Sequence, residues 1–343
     1  MKRSELVFDR PGRLEAVTPP EERGLGRDDV RLLVTTPAGH THAHFRDLSQ
    51  FLGPGDLLVA NDSATLPASL PASGSVGAFT LNLSTQYEPN LWLTEPRWSP
   101  DKPGPLPIES GDKIQVGGVS AQWVTPYPGL PALWFVHSQS DLREAMARHG
   151  SPIRYGYVPQ AYPLEMYQTI FSATPGSAEM PSAARPFTQQ VLESLRRRGV
   201  NIARVTLHTG VSSQEVETDD IEAETLYPEP FKVSSSTAQA VNAARREGRR
   251  VIAIGTTVVR ALESAWDGEQ VQPREGFTRL YIHPGRGMHV VQGLLTGFHD
   301  PVTSHLAMLY ALAGRDLIRE AYEEAIREGY LWHEFGDSHL IMM

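Results

Sequence analysis

Between Phe187 and Trp266 the chain alternates helix-like and strand-like segments. FTQQVLESLRRRG is followed by the strand-like VNIARVTLH, and STAQAVNAARREG is followed by RRVIAIG and then by the helix-like TTVVRALESAW. The helix-like segments carry apolar residues at helical spacing, whereas the strands are short apolar runs. Strands that follow helices at these intervals indicate βα units and a mostly parallel sheet. The sequence therefore predicts an α/β fold.

The region from about Leu66 to Val136 has a different character. Short β-rich runs such as LWLTEPRW, DKIQVGGVSAQWVT and PALWFVHS are separated by proline and glycine, which is typical of a small antiparallel barrel or sandwich. The helix-like SDLREAMARHG closes this region at Gly150. We expect residues 66–150 to form a small antiparallel β-barrel domain, inserted into a larger, mostly parallel α/β domain of residues 1–65 and 151–343.

Composition excludes several classes of protein. A chain of 343 residues with 40% hydrophobic residues is long enough for two packed domains. It has no cysteine, which excludes disulfides, thiolate nucleophiles, iron–sulfur clusters and cysteine-bound zinc. No apolar run approaches the roughly 18 residues of a membrane span, and MKRSELVFDR lacks the apolar stretch of a signal peptide. We expect a cytoplasmic enzyme or binding protein; its oligomeric state does not follow from the sequence, and a monomer is favoured.

A metal site would need histidine and carboxylate ligands. His40, His42 and His44 alternate in AGHTHAHF, so all three share one face if the segment is a strand. Such a face could bind a metal, but a partly exposed strand face is the favoured interpretation.

The net charge of -9 argues against a general nucleic-acid binder. Local basic clusters could still contact a tRNA. Each cluster lies at the end of a predicted helix beside a glycine, where cations also complement the helix dipole, and this second interpretation is favoured. The clusters are Arg196, Arg197 and Arg198, and Arg245, Arg246, Arg249 and Arg250.

The sharpest local signal is the turn in VIAIGTTVVRALESA, where an apolar strand runs through Gly255 into a helix. A helix start presents free backbone N–H groups, here beside the Thr256 and Thr257 hydroxyls, to an anion or a polar ligand edge. The segment lacks the lysine of a P-loop and the glycine spacing of a dinucleotide site, so it could also be a simple capped helix. Arg260 and Glu263, three residues apart, could pair with each other.

Two histidines follow predicted strands. His208 ends the strand in VTLHTG, and His299 follows an apolar strand in LLTGFHDP. Ligands of α/β sheets bind at the carboxyl edge, and a histidine there can transfer a proton near neutral pH. We expect both histidines to line one cleft, although either could be structural.

The turn-rich stretch PGSAEMPSAARPF leads into a helix that begins near Thr188. Its small residues would let the backbone approach a ligand, and Arg185 could bind a carboxylate or phosphate. The alternative is an ordinary surface loop with a solvated arginine.

Taken together and in order, these stretches resemble the S-adenosylmethionine:tRNA ribosyltransferase-isomerase family of queuosine biosynthesis. The matching segments span roughly residues 5 to 341. They are GPGDLLVAND, YQTIFS, PGSAEMPSAARPF, VTLHTG, RVIAIGTTVVRALES, LLTGFHDP with SHLAML, and FGDSHLI.

The resemblance implies a larger α/β domain, a smaller β-barrel domain and an active site between them. It also implies that the ribosyl part of S-adenosylmethionine is transferred to a 7-aminomethyl-7-deazaguanine base in tRNA and rearranged, while adenine and methionine depart. In the family's scheme a base removes a proton beside the sulfonium. S-adenosylmethionine is then a substrate, tRNA a possible partner, and no metal or redox cofactor is required.

Several positions depart from the family pattern. The family's Pro-Thr-Ala-Gly-Leu-His-Phe is replaced by residues 181–187, PSAARPF, so a histidine is lost and Arg185 appears. Its His-x-Met-His-Ser-Glu is replaced by residues 224–229, ETLYPE, which keep only Glu229. A proline-rich motif becomes PIRYGYV, and two arginine positions hold Ala64 and Ser69. We therefore expect a kept donor site with an altered acceptor or tRNA side.

From the family positions that are kept, and from the PSAARPF loop, the sequence predicts a set of site residues. The predicted catalytic residues are His208, His299 and Glu229. The predicted substrate-binding residues are Asn61, Gln168, Ser182, Arg185, Gly210, Gly255, Thr256, Thr257, Arg260, Glu263, Phe298, Ser304 and Asp337.

Two other functions remain open from the sequence. One is a transferase or lyase that consumes S-adenosylmethionine on a small-molecule acceptor. The other is a non-catalytic protein that binds a nucleoside or tRNA.

Overall fold

A computed structural model describes residues 1–211, 218–224 and 226–343. The strands are β1 Arg31–Thr36, β2 Gly39–His44, β3 Leu57–Asn61, β4 Ser63–Thr65, β5 Ser69–Gly74, β6 Gly77–Glu88, β7 Leu91–Arg97, β8 Lys113–Val116, β9 Val119–Tyr127, β10 Leu130–Ser138, β11 Thr174–Ser177, β12 Asn201–Leu207, β13 Glu229–Val233, β14 Val251–Ile254, β15 Arg274–Thr278, β16 Gly293–Gly297 and β17 Ser338–Met342. The helices are α1 Leu142–His149, α2 Gln189–Arg197, α3 Ser235–Arg246, α4 Thr256–Ser264, α5 Ser304–Ala313 and α6 Arg315–Arg327.

The larger sheet has the strand order β15-β13-β12-β3-β14-β16-β17-β1-β2. Its central strands β12, β3, β14 and β16 are mutually parallel, as the βα pattern predicts. The outer pairings are antiparallel except for β17 with β1. The α/β fold class is confirmed, but the sheet is mixed rather than mostly parallel, because β13, β15, β17 and β2 run against a neighbour.

The central strands are buried on both faces, which explains their continuous apolar sequences. In β3, Leu57 and Val59 pack on the side of α3 to α6, whereas Leu58 and Ala60 pack on the side of α2. Both faces of the sheet are thus covered, and the parallel strands are left to present their carboxyl ends to a ligand.

Strands β5 to β10 close an antiparallel barrel in the order β10-β7-β6-β5-β8-β9. Apolar side chains, among them Trp92 and Trp123, fill its interior, and α1 packs against it. The barrel contacts the larger sheet through hydrogen bonds: Val211 N–H donates to Ser84 Oγ at 2.9 Å, and Tyr87 donates to the Pro228 carbonyl at 2.9 Å. The small barrel predicted from the β-rich runs is present, and its strands lie within residues 66–150.

The two basic clusters lie where α2 and α3 turn into β12 and β14, at the amino edge of the parallel strands. Several of these arginines bond to nearby backbone or acids: Arg198 donates to the Leu52 carbonyl, Arg249 to that of Pro54, and Arg250 pairs with Asp56. The two basic clusters therefore lie at the amino edge of the sheet, whereas ligands of α/β proteins bind at the carboxyl edge.

His40, His42 and His44 lie on β2 at the edge of the sheet, and each bonds to protein. His40 Nδ1 is 3.0 Å from Thr35 Oγ1, His42 Nδ1 is 2.8 Å from the Tyr330 hydroxyl, and His44 Nδ1 is 2.9 Å from the Asp29 carbonyl. The partly exposed strand face is confirmed. In the part of the chain that the structure describes, no group of three histidine or acidic side chains is placed to hold a metal ion.

Among the described residues, no helix is both long enough and apolar enough to cross a bilayer.

Candidate functional site

A cavity of about 180 Å³ opens at the carboxyl edge of the central strands. Its lining comes from the ends of β14 and β16, the start of α5, the loop after β11, the segment after α1 and the turn before β17. Of the predicted site residues, those that line it are Ser182, Gly255, Thr256, Thr257, Phe298 and His299.

The strand-to-helix turn forms one wall of the cavity. Gly255 has a φ of 92°, which favours glycine, and a Cβ built there would lie 3.4 Å from the Ala183 Cβ. The chain therefore turns sharply from β14 into α4 and brings Thr256 and Thr257 to the cavity. The first N–H groups of α4 have no partner within the helix, so this wall can donate hydrogen bonds to a ligand.

His299 follows β16 and is held from several directions. Its Nε2 lies 2.8 Å from Thr296 Oγ1, its backbone N–H donates to the Tyr322 hydroxyl at 3.1 Å, and its carbonyl accepts from Trp332 Nε1 at 3.1 Å. Among the described residues, none forms a hydrogen bond with Nδ1. Burial, reinforced by neighbouring histidines, holds the pKa of His299 well below its usual value, so the ring is neutral at neutral pH.

His305 on α5 is a second imidazole in the cavity, and it is absent from the predicted site residues. Its ring centroid is 4.8 Å from that of His299. Burial, with a smaller contribution from Arg260, lowers the pKa of His305 to about 4. The signal that could have found it is its position shortly after His299 in the chain, at the start of the predicted helix SHLAML.

A stack of rings forms another part of the cavity lining. The Tyr157 and His333 rings are 4.1 Å apart and nearly parallel, and Tyr155 stacks on Tyr157 at 6.1 Å. The Tyr157 hydroxyl donates to Glu334, and that of Tyr155 donates to Glu179. Both tyrosines belong to PIRYGYV, which stands out in the sequence only as a departure from the family pattern.

His208 does not share this cavity, so the expectation of a single cleft for both histidines is wrong. It lines a separate groove of about 950 Å³ beside β12 and β13. Its Nδ1 lies 2.7 Å from Ser63 Oγ, and a Cβ on Gly176 would lie 2.4 Å from that nitrogen. Burial lowers the pKa of His208. Its neighbour Thr209 lines the main cavity instead, as the alternation of side chains along an extended chain allows.

The pairing of Arg260 with Glu263 that their spacing allows does not form. Arg260 forms a buried ion pair with Glu229, whereas Glu263 pairs with Arg286 at 3.0 Å. The other carboxylate oxygen of Glu229 accepts from Gly210 N–H at 2.8 Å. Glu229, Arg260 and Glu263 therefore bond to protein groups and are absent from the lining of the main cavity, although Glu229 and Arg260 line a small neighbouring space.

Four other predicted residues have structural contacts. Asn61 joins β3 to β12, because its amide donates to the Leu207 carbonyl at 2.8 Å and accepts from Leu207 N–H at 3.0 Å. Gln168 bonds to both backbone groups of Thr65. Asp337 accepts from the N–H groups of Arg31 and Leu331. A Cβ on Gly210 would lie 2.3 Å from the Tyr227 hydroxyl. Asn61, Gln168, Gly210 and Asp337 thus shape the site from behind.

Arg185 is only 2% exposed, so the solvated-loop alternative is wrong. Its Nη2 donates to both Glu21 oxygens, at 3.1 and 3.0 Å, and Nε donates to the Met166 carbonyl at 3.0 Å. It lies outside the cavity lining, as does Ser304, which lines a small neighbouring space of about 40 Å³. Thr225, in the altered ETLYPE motif, lies outside the described residues.

The fold and cavity define an α/β protein with a β-barrel domain, whose ligand site lies at the carboxyl edge of its parallel strands and is lined by imidazole, carboxyl and hydroxyl groups. Residues 3–341 match the family described as Queuosine biosynthesis protein, and the chain belongs to that family. The S-adenosylmethionine:tRNA ribosyltransferase-isomerase of Thermus thermophilus is 38% identical, over 92% of this chain and 93% of that protein. The enzyme of the same name from Rubrobacter xylanophilus is 36% identical, over 100% and 98%.

A solved structure shares the fold. The crystal structure of the S-adenosylmethionine tRNA ribosyltransferase from Thermotoga maritima aligns with a TM-score of 0.56 and 27% identity, covering 98% of this chain and 100% of that one. The similarity therefore extends over both the α/β domain and the barrel.

Proposed function

We propose that this chain transfers the ribosyl part of S-adenosylmethionine to a 7-aminomethyl-7-deazaguanine base in tRNA and isomerises it. The observation that carries the proposal is the whole-length similarity to proteins named for this reaction at 33 to 38% identity. The cavity adds support, because it lies at the strand edge where α/β proteins bind ligands. S-adenosylmethionine enters as a substrate.

We assign proton removal beside the sulfonium to His299. It lines the cavity with a neutral ring whose Nδ1 is available, and Thr296 and the backbone contacts fix its orientation. A neutral, oriented imidazole can accept a proton from a bound substrate. His208 and Glu229 are weaker candidates, since His208 faces another groove and Glu229 is paired with Arg260.

The donor contact is assigned to the start of α4. Oriented N–H groups and the Thr256 and Thr257 hydroxyls need little reorganisation to bond with the polar atoms of S-adenosylmethionine. Ser182 and Phe298 complete this side of the cavity.

One incubation tests the proposal. Purified protein is mixed with S-adenosylmethionine, with and without tRNA that carries the aminomethyl base, and free adenine and methionine are measured. We expect release only when the modified tRNA is present. Release without any tRNA would indicate a lyase or a small-molecule acceptor, and binding without release would indicate a non-catalytic protein.

A further inference from the structure

The Glu334 carboxyl lines the cavity without an ion-pair partner in the described part of the chain. Its hydrogen-bond partner is the Tyr157 hydroxyl. Among the described residues, no lysine, arginine or histidine nitrogen forms an ion pair with it within 4.0 Å. Asp300, another acid of the lining, differs because Arg10 Nε lies 2.9 Å from its Oδ1. Glu334 is thus a cavity carboxyl that has no ion-pair partner among the described residues.

The cavity itself supplies no cation. The residues that line it include Glu179, Asp300 and Glu334 but neither lysine nor arginine, in the part of the chain that the structure describes. Arg185, which lines an adjoining space with Glu334, acts on its charge but is itself paired with Glu21. Removing a carboxylate from water without a partner is energetically costly. Burial accordingly raises the pKa of Glu334 above its usual value. A cationic ligand would remove this cost, whereas a phosphate would increase it.

Glu334 is also held in place. The Tyr157 ring lies between Tyr155 at 6.1 Å and His333 at 4.1 Å, which fixes the direction of its hydroxyl. His333 adopts a φ of 73°, uncommon for a residue other than glycine, and is followed directly by Glu334. The backbone and the ring stack therefore both determine where the carboxyl points.

We infer that Glu334 is a specificity-determining residue that pairs with a cationic group of a substrate, an ammonium or a sulfonium. The substrates follow from the proposed function, on which this inference rests: S-adenosylmethionine carries a sulfonium and an α-ammonium, and the acceptor base carries an aminomethyl ammonium. The tRNA phosphates stay outside this cavity.

The test compares dissociation constants of the wild type and Glu334→Gln for pairs of ligands of which one member carries an additional cationic group. S-adenosylmethionine against S-adenosylhomocysteine reports the sulfonium, and S-adenosylhomocysteine against 5′-methylthioadenosine reports the amino-acid end, in which the ammonium is accompanied by a carboxylate. A tRNA stem-loop with the aminomethyl base against one with guanine reports the acceptor. In one pair, we expect the wild type to prefer the charged member by about 10-fold or more, and Glu334→Gln to abolish that preference without weakening the neutral member.

Glu323→Gln, on the exposed side of α6, is the matched control and should change none of the ratios. Tyr157→Phe keeps the carboxyl but removes its support, and should reduce the same preference by a smaller factor; it carries the test if Glu334→Gln does not fold. The inference is overturned if the wild type shows no preference in any pair, or if Glu334→Gln weakens both members equally or neither.

These outcomes separate the inference from the proposed function. Charge preference that depends on Glu334, without adenine release on modified tRNA, refutes the function and keeps the inference. Adenine release with ratios that Glu334→Gln does not alter refutes the inference alone.

Discussion

One group of polar side chains lies behind the cavity and a second group lines it. The two groups differ in the partners of their hydrogen bonds and ion pairs. Behind the cavity, Asn61, Glu229, Arg260 and Glu263 form a polar seam whose members bond to one another, to Arg286 or to backbone. Within it, among the described residues, no hydrogen bond reaches His299 Nδ1 or the His305 ring, and Glu334, bonded to the Tyr157 hydroxyl, forms no ion pair. A buried polar group with its bonds satisfied holds structure, whereas an oriented one with atoms to spare can bind a ligand.

The residues that match the family pattern fall in both regions. Gly210, Glu229 and Arg260 fit the pattern, yet they form a continuous set of contacts between β13, α4 and the barrel side. A change in this seam should therefore lower stability, and a change in the cavity should lower binding or turnover.

Arg260→Ala should have the largest effect on stability. It would leave Glu229, 3% exposed, without its cation, and breaking one partner of a buried ion pair costs about 3 to 5 kcal/mol. Urea unfolding of the wild type and variant measures the loss. Arg260→Met combined with Glu229→Leu should recover much of it, and a loss below about 1 kcal/mol would show that the pair is solvated.

His299→Ala should lower turnover by about 100-fold or more, the usual scale for loss of a general base. Adenine release at saturating substrates is the measurement. His208→Ala is the matched control: it removes a bond to Ser63 and should reduce stability while turnover stays within about 3-fold. If His208→Ala carries the 100-fold loss and His299→Ala does not, the base lies in the other groove.

Some features of the seam and the cavity can be predicted from local sequence, and others cannot. The turn at Gly255 and the position of His299 follow from apolar strands that end at a helix start or a proline, so local pattern is enough. The direction of His208 depends on strand register and on Ser63, 145 residues away in sequence, which no local pattern encodes. Glu229 with Arg260 is likewise a long-range pair.

His333 and Glu334 escape prediction for another reason. They follow no periodic segment, and their roles depend on a backbone turn and on the Tyr157 ring, which lies far away in sequence. Arg185 shows the same limit, since its partner Glu21 lies near the start of the chain. The predicted boundaries of the inserted domain, residues 66 and 150, stay a prediction.

Thr257→Val should weaken donor binding by about 1 to 3 kcal/mol if it leaves a ligand group unpaired. Thr257 lines the cavity and its hydroxyl also accepts from Asn61 Nδ2 at 3.3 Å, so it stands at the border between seam and cavity. Titration calorimetry with S-adenosylmethionine measures the change. Thr206→Val, whose hydroxyl bonds to Asp62 outside the cavity, is the control. Equal affinity in wild type and Thr257→Val would place the donor elsewhere.

His339 tests the cost of burying a neutral imidazole. Burial, with a smaller effect of His40, lowers the pKa of His339 to about 3, against about 6.5 in an unfolded chain. Between these values the unfolded state binds a proton that the folded state does not, so stability falls as pH falls, by up to about 1.4 kcal/mol per pH unit. Between pH 7 and pH 5, His339→Gln should lose about 1 to 2 kcal/mol less than the wild type in unfolding experiments.

The difference between the wild type and His339→Gln separates the effect of His339 on stability from the effect of the buried acids. The raised pKa values of Glu334 and Asp337 make stability fall as pH rises, the opposite direction, and they are present in both proteins. Parallel pH profiles for wild type and His339→Gln would show that His339 is protonated in the folded protein.

Arg197→Ala should have the smallest effect. Arg197 is exposed at the end of α2, at the edge of the sheet opposite the cavity, where it complements the helix dipole. Its removal should change the free energy of unfolding by about 0.5 kcal/mol or less. It should also leave the affinity for tRNA, and its dependence on salt, unchanged. If Arg197 instead binds a phosphate of the tRNA, its removal should reduce the slope of the logarithm of the affinity against the logarithm of the salt concentration by about one. That result would mean that the tRNA reaches the amino edge as well as the cavity, and that the basic clusters belong to the binding surface.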